Sequence, residues 1–235
     1  TTIPRGGITA DAIDGTLIAD DAINSEHFTD GSIDTAHIGD NQVTAAKATG
    51  IGGLVHINTI SITSSTASAT FLHGTNSVVL NDGTYENFLI IGSGIQVSSD
   101  DDTIRVSFSI DNGSNYNAQT YRATDQVEMT QSGSSGSASQ GAQSNSGPTE
   151  IGGAVGNNLG NGFAFTMYLF NLNSLLVKKH VLVEALEEQH NLIYKKRSSF
   201  ITVAEYNAAI DGIRFNCNSG SFSKATFRLY GITNG

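Results

Sequence analysis

Ile3, Ile8, Ile13, Ile18, Ile23, Phe28, Ile33, Ile38 and Val43 stand five residues apart without a slip. The residues between them are mostly Asp, Ala, Gly, Ser, Thr and Asn. A ten-residue period lies over the first: IDGTLIADDA (13–22), INSEHFTDGS (23–32) and IDTAHIGDNQ (33–42) align, and VTAAK (43–47) begins a fourth unit. At about 100° per residue, a helix would turn the apolar side chain roughly 140° past a full turn at each repeat, so no apolar stripe would form. In a continuous strand an odd period sends successive apolar side chains to opposite faces. A turn must therefore interrupt every repeat. One large residue in five is also too few to build a core within one chain, so the unit buries its isoleucines only against neighbours.

Three arrangements meet that demand. In a fibre, several parallel chains, most simply three, point Ile8, Ile13, Ile18, Ile23, Phe28, Ile33, Ile38 and Val43 at a common axis. A single-chain β-solenoid of pentapeptides wants a small residue two positions before each apolar one. Asp11, Thr16, Asp21, Glu26, Gly31, Ala36 and Asn41 match that poorly. The segment could also lie as an arm along a partner protein. The fibre is the favoured arrangement. His27 and His37 share a slot with Leu17 and Lys47. Rings of these histidines from three chains could ligate a metal, but Leu and Lys in the same slot favour plain packing beside the axis.

The chain changes character near Gly50–Gly53, which separates a repeat segment (1–50) from a second domain (51–235). The first carries eight acids and two bases, the second fourteen acids and ten bases, giving a net charge of −10 over 235 residues. That balance argues against nucleic acid or an anionic membrane surface as the main partner, since either needs concentrated Lys and Arg. No apolar run approaches the roughly 20 residues of a membrane span, and no signal-peptide pattern opens the chain. The single cysteine, Cys217, excludes an intrachain disulfide and any Cys-cluster zinc site. Only 14% of residues are charged and 26 are glycine, a composition suited to short strands and turns.

The second domain reads as β. Strands are expected at 54–62, 69–73, 77–81, 85–99, 103–113, 162–172, 209–220 and 222–232. Ile104, Val106, Phe108 and Ile110 form a period-two face opposite Arg105, Ser107 and Ser109, and Phe163, Phe165, Met167 and Leu169 alternate likewise. Residues 180–196 fit either a helix or a strand; the β-branched content and the neighbouring strands favour strand. Residues 131–148 contain no aromatic and no aliphatic larger than Ala, so a long surface loop is expected, either mobile or a recognition loop. Strands this short and frequent indicate an antiparallel β-sandwich.

The decapeptide array IADDAINSEHFTDGSIDTAHIGDNQVTAAK resembles the shaft repeats of bacteriophage tail fibres and related virion proteins, of the kind found in phages of marine and cyanobacterial hosts. The segments YENFLIIGSGI, TIRVSFSIDNGSNYNAQTY and IDGIRFNCNSGSFSKATFRLYGI resemble a jelly-roll domain that often ends such fibres. The second likeness rests on the S-x-D-N-G-x-x-Y run (109–116) and the F-R-L-Y-G-I ending (227–232). The resemblance implies a homotrimeric virion appendage, joined to other virion or tail proteins through its N-terminal segment. Its terminal domain would meet the host surface, often its polysaccharide. The shaft is short, with only about four decapeptides, which leaves tail, baseplate and head fibres open. A purely architectural virion protein and a polysaccharide-cleaving spike are the alternatives.

Candidate sites are few. Asp100, Asp101 and Asp102 form the only acidic run. Catalytic glycosidases need paired carboxylates at set separations, and calcium prefers clustered oxygens, but an exposed turn is the simpler expectation. No nucleophile elbow and no phosphate loop occurs, so no catalytic residue and no cofactor is assigned. For sugar binding the candidates are Tyr85, Tyr116, Asn112 and Asn115, aromatic and planar polar side chains in place of the absent Trp. Residues 111–115 also read as an ordinary turn. Lys178-Lys179 and the run Lys195-Lys196-Arg197 could steer the domain toward an anionic envelope, or could be solvated strand ends. Cys217, inside an apolar strand, is expected to be buried and inert.

Overall fold

The computed structural model describes residues 28–30, 32–33, 37–39, 53–116, 121–132, 135–145, 148–158, 160–189, 193–203 and 208–233. Ile8, Ile13, Ile18, Ile23, His27 and Val43 lie outside them. The chain divides into two compact units, Thr1–Ile51 and Gly52–Gly235. Within the first, Phe28, Ile33 and Ile38 are 46%, 45% and 40% exposed, and His37 is exposed as well.

The second unit is all β among its described residues. In chain order its strands are β1 (Leu54–Ile62), β2 (Ser68–Leu72), β3 (Asn87–Val97), β4 (Asp102–Ser109), β5 (Tyr121–Ser132), β6 (Ser135–Asn145), β7 (Thr149–Val155), β8 (Phe163–Phe170), β9 (Lys179–Gln189), β10 (Ile193–Val203), β11 (Gly212–Cys217) and β12 (Phe222–Ile232). One sheet has the order β1-β12-β3-β8-β9-β10-β5-β6 and the other β2-β11-β4-β7. Every pairing is antiparallel. The quartets β1-β12-β3-β8 and β2-β11-β4-β7 are the two halves of a jelly roll, with the chain passing from sheet to sheet as that double Greek key requires. The β5–β6 hairpin and the β9–β10 hairpin are insertions that widen the larger sheet.

Period-two patterning builds the core as the sequence leads one to expect. Ile104, Val106 and Phe108 of β4, and Phe163, Phe165, Met167 and Leu169 of β8, are all buried between the sheets. Phe215 of β11 stacks on Phe227 of β12 with ring centroids 5.0 Å apart and planes at 17°, and on Phe165 at 5.3 Å. Gly92 sits in register between Phe227 and Phe165. A Cβ there would lie 2.2 Å from the Phe165 ring, so the absence of a side chain lets the two rings close over the strand. Burying each phenylalanine contributes about 2–3 kcal/mol.

One open choice falls as expected, and two expectations are corrected. Residues 180–196 are strand throughout their described part, in β9 and β10. Val78 and Leu80 are buried, but residues 77–81 form no strand. The chain there turns back on itself, with Asn76 and Ser77 at positive φ and the amides of Leu80 and Asn81 donating to His73 Nδ1 at 3.2 and 3.4 Å. The described part of residues 131–148 is not a long loop. Ser135–Asn145 pairs with β5 from Ser132 opposite Ser135 to Tyr121 opposite Asn145. A strand at the rim needs backbone hydrogen bonds more than large side chains, and small polar residues do not obstruct them.

Candidate functional site

The inserted hairpins help form a broad concavity among the described residues. Across the outer face of the large sheet, Ala164, Leu186, Lys196 and Met129 stand in one register row, and Glu188, Tyr194, Gln131 and Gly136 in the next. These rows border a groove of about 1160 Å³, whose remaining lining includes Gly94–Gln96, Gly160–Phe163 and Lys224. Register shifts in β3 between Gly92 and Ile95, and in β12 on either side of Lys224, fall at this end. Bulges of this kind bend strands and re-aim side chains, and Gly94 at φ 58° supplies the left-handed residue one of them needs.

The groove presents an apolar floor beside polar groups. Leu186, Met129 and Tyr194 are 61%, 58% and 48% exposed, a combination that water does not favour and a ligand's apolar face would cover. Lys196 Nζ lies 3.2 Å from Glu184 Oε2. Beneath, the alternate residues of the same strands point inward and tie β7 to the floor. Gly153 N–H donates to Glu187 Oε2 at 2.7 Å, and Gln189 Nε2 donates to Gly153 O at 2.9 Å. Lys195 Nζ stands 4.0 Å from Glu187 Oε1, and Arg197 is buried alongside. The basic run is thus split by strand alternation: Lys196 faces the solvent side, while Lys195 and Arg197 turn toward buried partners. Lys179, the other basic pair's second member, is fully buried.

The tyrosine and asparagine candidates fall elsewhere. Tyr116 is 6% exposed; its ring packs against the Arg214 guanidinium, 4.2 Å from the centroid, and burial raises its hydroxyl above the ordinary tyrosine range. It offers no free face to a sugar. Asn112, at φ 56°, donates its backbone N–H to Asp211 Oδ2 at 2.6 Å. Asn115 donates both its backbone N–H and its side-chain amide to Asp111 at 2.8 Å, and these bonds hold the Asp111 carboxyl below its usual range. Asp111 to Asn115 is therefore a turn held by Asp111, Ser109 and Asp211. Tyr85 belongs to the approach to β3, half-buried, with its ring edge-on to Phe88 at 5.9 Å and over Gly231. The four residues do not form one site.

The acidic run is structural as well. Asp102 is 3% exposed. Its Oδ1 accepts from the amides of Thr103, Asn218 and Ser219 at 2.8, 3.0 and 3.0 Å, and its Oδ2 from Gly220 at 2.7 Å. Both oxygens are consumed in holding the β11–β12 turn. Asp101 occupies a turn at φ 52°, and Asp100 Oδ1 accepts from the Asn157 amide at 3.3 Å. Among the described residues no three His, Cys, Asp or Glu side chains gather where a metal could sit.

Tyr194, Leu186, Met129 and Lys224 escaped the sequence reading because nothing local marks them. The one usable signal was the alternation in Ile193–Val203, whose exposed members Tyr194, Lys196 and Phe200 include two aromatic rings. Comparisons with protein-family models, curated proteins and solved structures find no match for this chain.

Proposed function

We propose that this chain is a non-enzymatic, homotrimeric fibre protein of a virion appendage, whose jelly-roll head binds host-surface glycan in the groove beside Tyr194. The observation that carries the binding half is that groove: apolar side chains and an exposed aromatic ring flanked by amides and ammonium groups. That mixture suits a sugar ring, which has an apolar face and a polar rim. The fibre half is supported by the five-residue array. Phe28, Ile33 and Ile38, the described members of the ladder, stay exposed in a single chain, as side chains awaiting neighbouring chains would. Joining three heads multiplies weak contacts into useful avidity. Attachment to other virion proteins falls to the N-terminal segment. The test is a glycan array probed with the full chain and with Tyr194→Ala. The proposal predicts binding that the substitution abolishes; unchanged binding, or none by the wild type, contradicts it.

A second reading, an architectural virion protein that touches only other proteins, draws on the far end of the same face. Tyr168, Leu182 and Phe200 form one cross-strand row, and Phe170 stacks beside Tyr168 at 6.3 Å. Tyr168, Phe170 and Phe200 are 37%, 38% and 50% exposed, a patch of the kind that proteins cover with proteins. Under that reading the glycan array stays blank and the full chain binds only components of its own virion.

A further inference from the structure

The head is acidic, with fourteen acids against ten bases over residues 51–235, yet its groove is not. Three of the head's five lysines, Lys195, Lys196 and Lys224, line it, against two of fourteen acids, Glu187 and Glu188. Glu187 is 4% exposed and is occupied by the Gly153 amide and Lys195, so this pair presents little charge of either sign to the opening, which leaves Lys196 and Lys224 against Glu188. Lys224 is exposed and makes no ion pair among the described residues. A random scatter of this head's charges would put more acids than bases in the groove. The reverse is found, in a groove whose volume of about 1160 Å³ is large enough to take several sugar rings.

We infer that the groove takes an anionic glycan, a chain bearing carboxylate or sulfate groups, with Tyr194 under a sugar ring and the ammonium groups of Lys196 and Lys224 facing the charges. The inference rests on reading the groove as a glycan site. An ammonium ion is a strongly hydrated point charge that suits single anionic groups spaced along a polymer. Lys224 is solvated and Lys196 sits in a partly exposed pair with Glu184 that a ligand anion would compete for, so the attraction is screened by salt and gives selectivity and association rate more than raw affinity.

The experiment is calorimetric titration of the full chain with three oligosaccharides of matched length: oligogalacturonate, sulfated dextran and neutral dextran. Each is repeated with Lys196→Glu/Lys224→Glu, with Tyr194→Ala, and at raised salt, with circular dichroism confirming that the variants fold. The expected result is binding of one or both anionic oligomers, weakened at least about tenfold in the double variant and by salt, with neutral dextran bound far more weakly. Oligogalacturonate alone would identify the group as carboxylate, sulfated dextran alone as sulfate. Neutral dextran bound as well as the anionic oligomers, unaffected in the double variant but lost in Tyr194→Ala, would overturn the anionic inference and leave the glycan groove standing. Binding of no oligomer, or binding indifferent to all three substitutions, would overturn both.

Discussion

Phe215 and Phe227 lie on opposite sheets and stack face to face, with centroids 5.0 Å apart and planes 17° from parallel. Their contact joins β11 to β12, the last pair of strands in the chain, and Phe165 closes over both. Phe215→Ala should therefore destabilise the head by about 3–5 kcal/mol, the cost of lost transfer energy plus a cavity that stiff strands cannot collapse. Gly92→Ala should cost about 1–3 kcal/mol for the opposite reason, because the added methyl meets the Phe165 ring. Urea denaturation of both variants measures this. A Phe215→Ala head as stable as the wild type would show that the stack is not central to the core.

Asp102 gathers four backbone amides at one buried carboxylate. Asp102→Ala should leave those donors without a partner and lower stability by on the order of 3 kcal/mol. Hydrogen exchange should rise first at Asn218–Gly220. Addition of calcium should leave the wild-type unfolding midpoint unchanged, because both carboxylate oxygens are already engaged; a calcium-dependent rise would contradict that assignment.

Cys217 is buried, and burial, with the Asp102 carboxylate adding to it, pushes its thiol from 9.0 up to about 12. The folded protein should resist iodoacetamide at pH 8, where the thiolate that reacts is absent, and should be labelled promptly once unfolded. The unfolded thiol loses its proton before the folded one. Its contribution to stability is therefore whole below pH 9 and falls as pH climbs toward 12, by about 1.4 kcal/mol per pH unit. The raised hydroxyl of Tyr116 acts in the same direction at the top of that range. Denaturation midpoints that stay flat above pH 9 would count against the burial of both groups.

The sandwich was legible because its core strands obey a period of two. Ile104, Val106 and Phe108 had only one way to face a core, and the structure buries all three. The β5–β6 hairpin was not legible, because Ser135–Asn145 has no apolar alternation and is held by backbone bonds that no side-chain pattern records. The same limit hid the groove. Tyr194, Leu186, Met129 and Lys224 come from four strands and meet only through sheet register and bulges. Tyr116 and Asn112–Asn115 looked like a sugar site because their residue types suit one. Residue type alone does not reveal that Asp111 and Asp211 already take up the loop's amides or that Tyr116 is buried.

The most direct test of the account is the mass in solution of the full chain and of its Ile23→Asp variant, measured by light scattering. A ladder buried between three chains predicts three times the 24.6 kDa chain mass for the wild type. It also predicts loss of the trimer in the variant, since three carboxylates would be buried at the axis. A wild type of single-chain mass, or a variant that stays trimeric, would contradict the fibre.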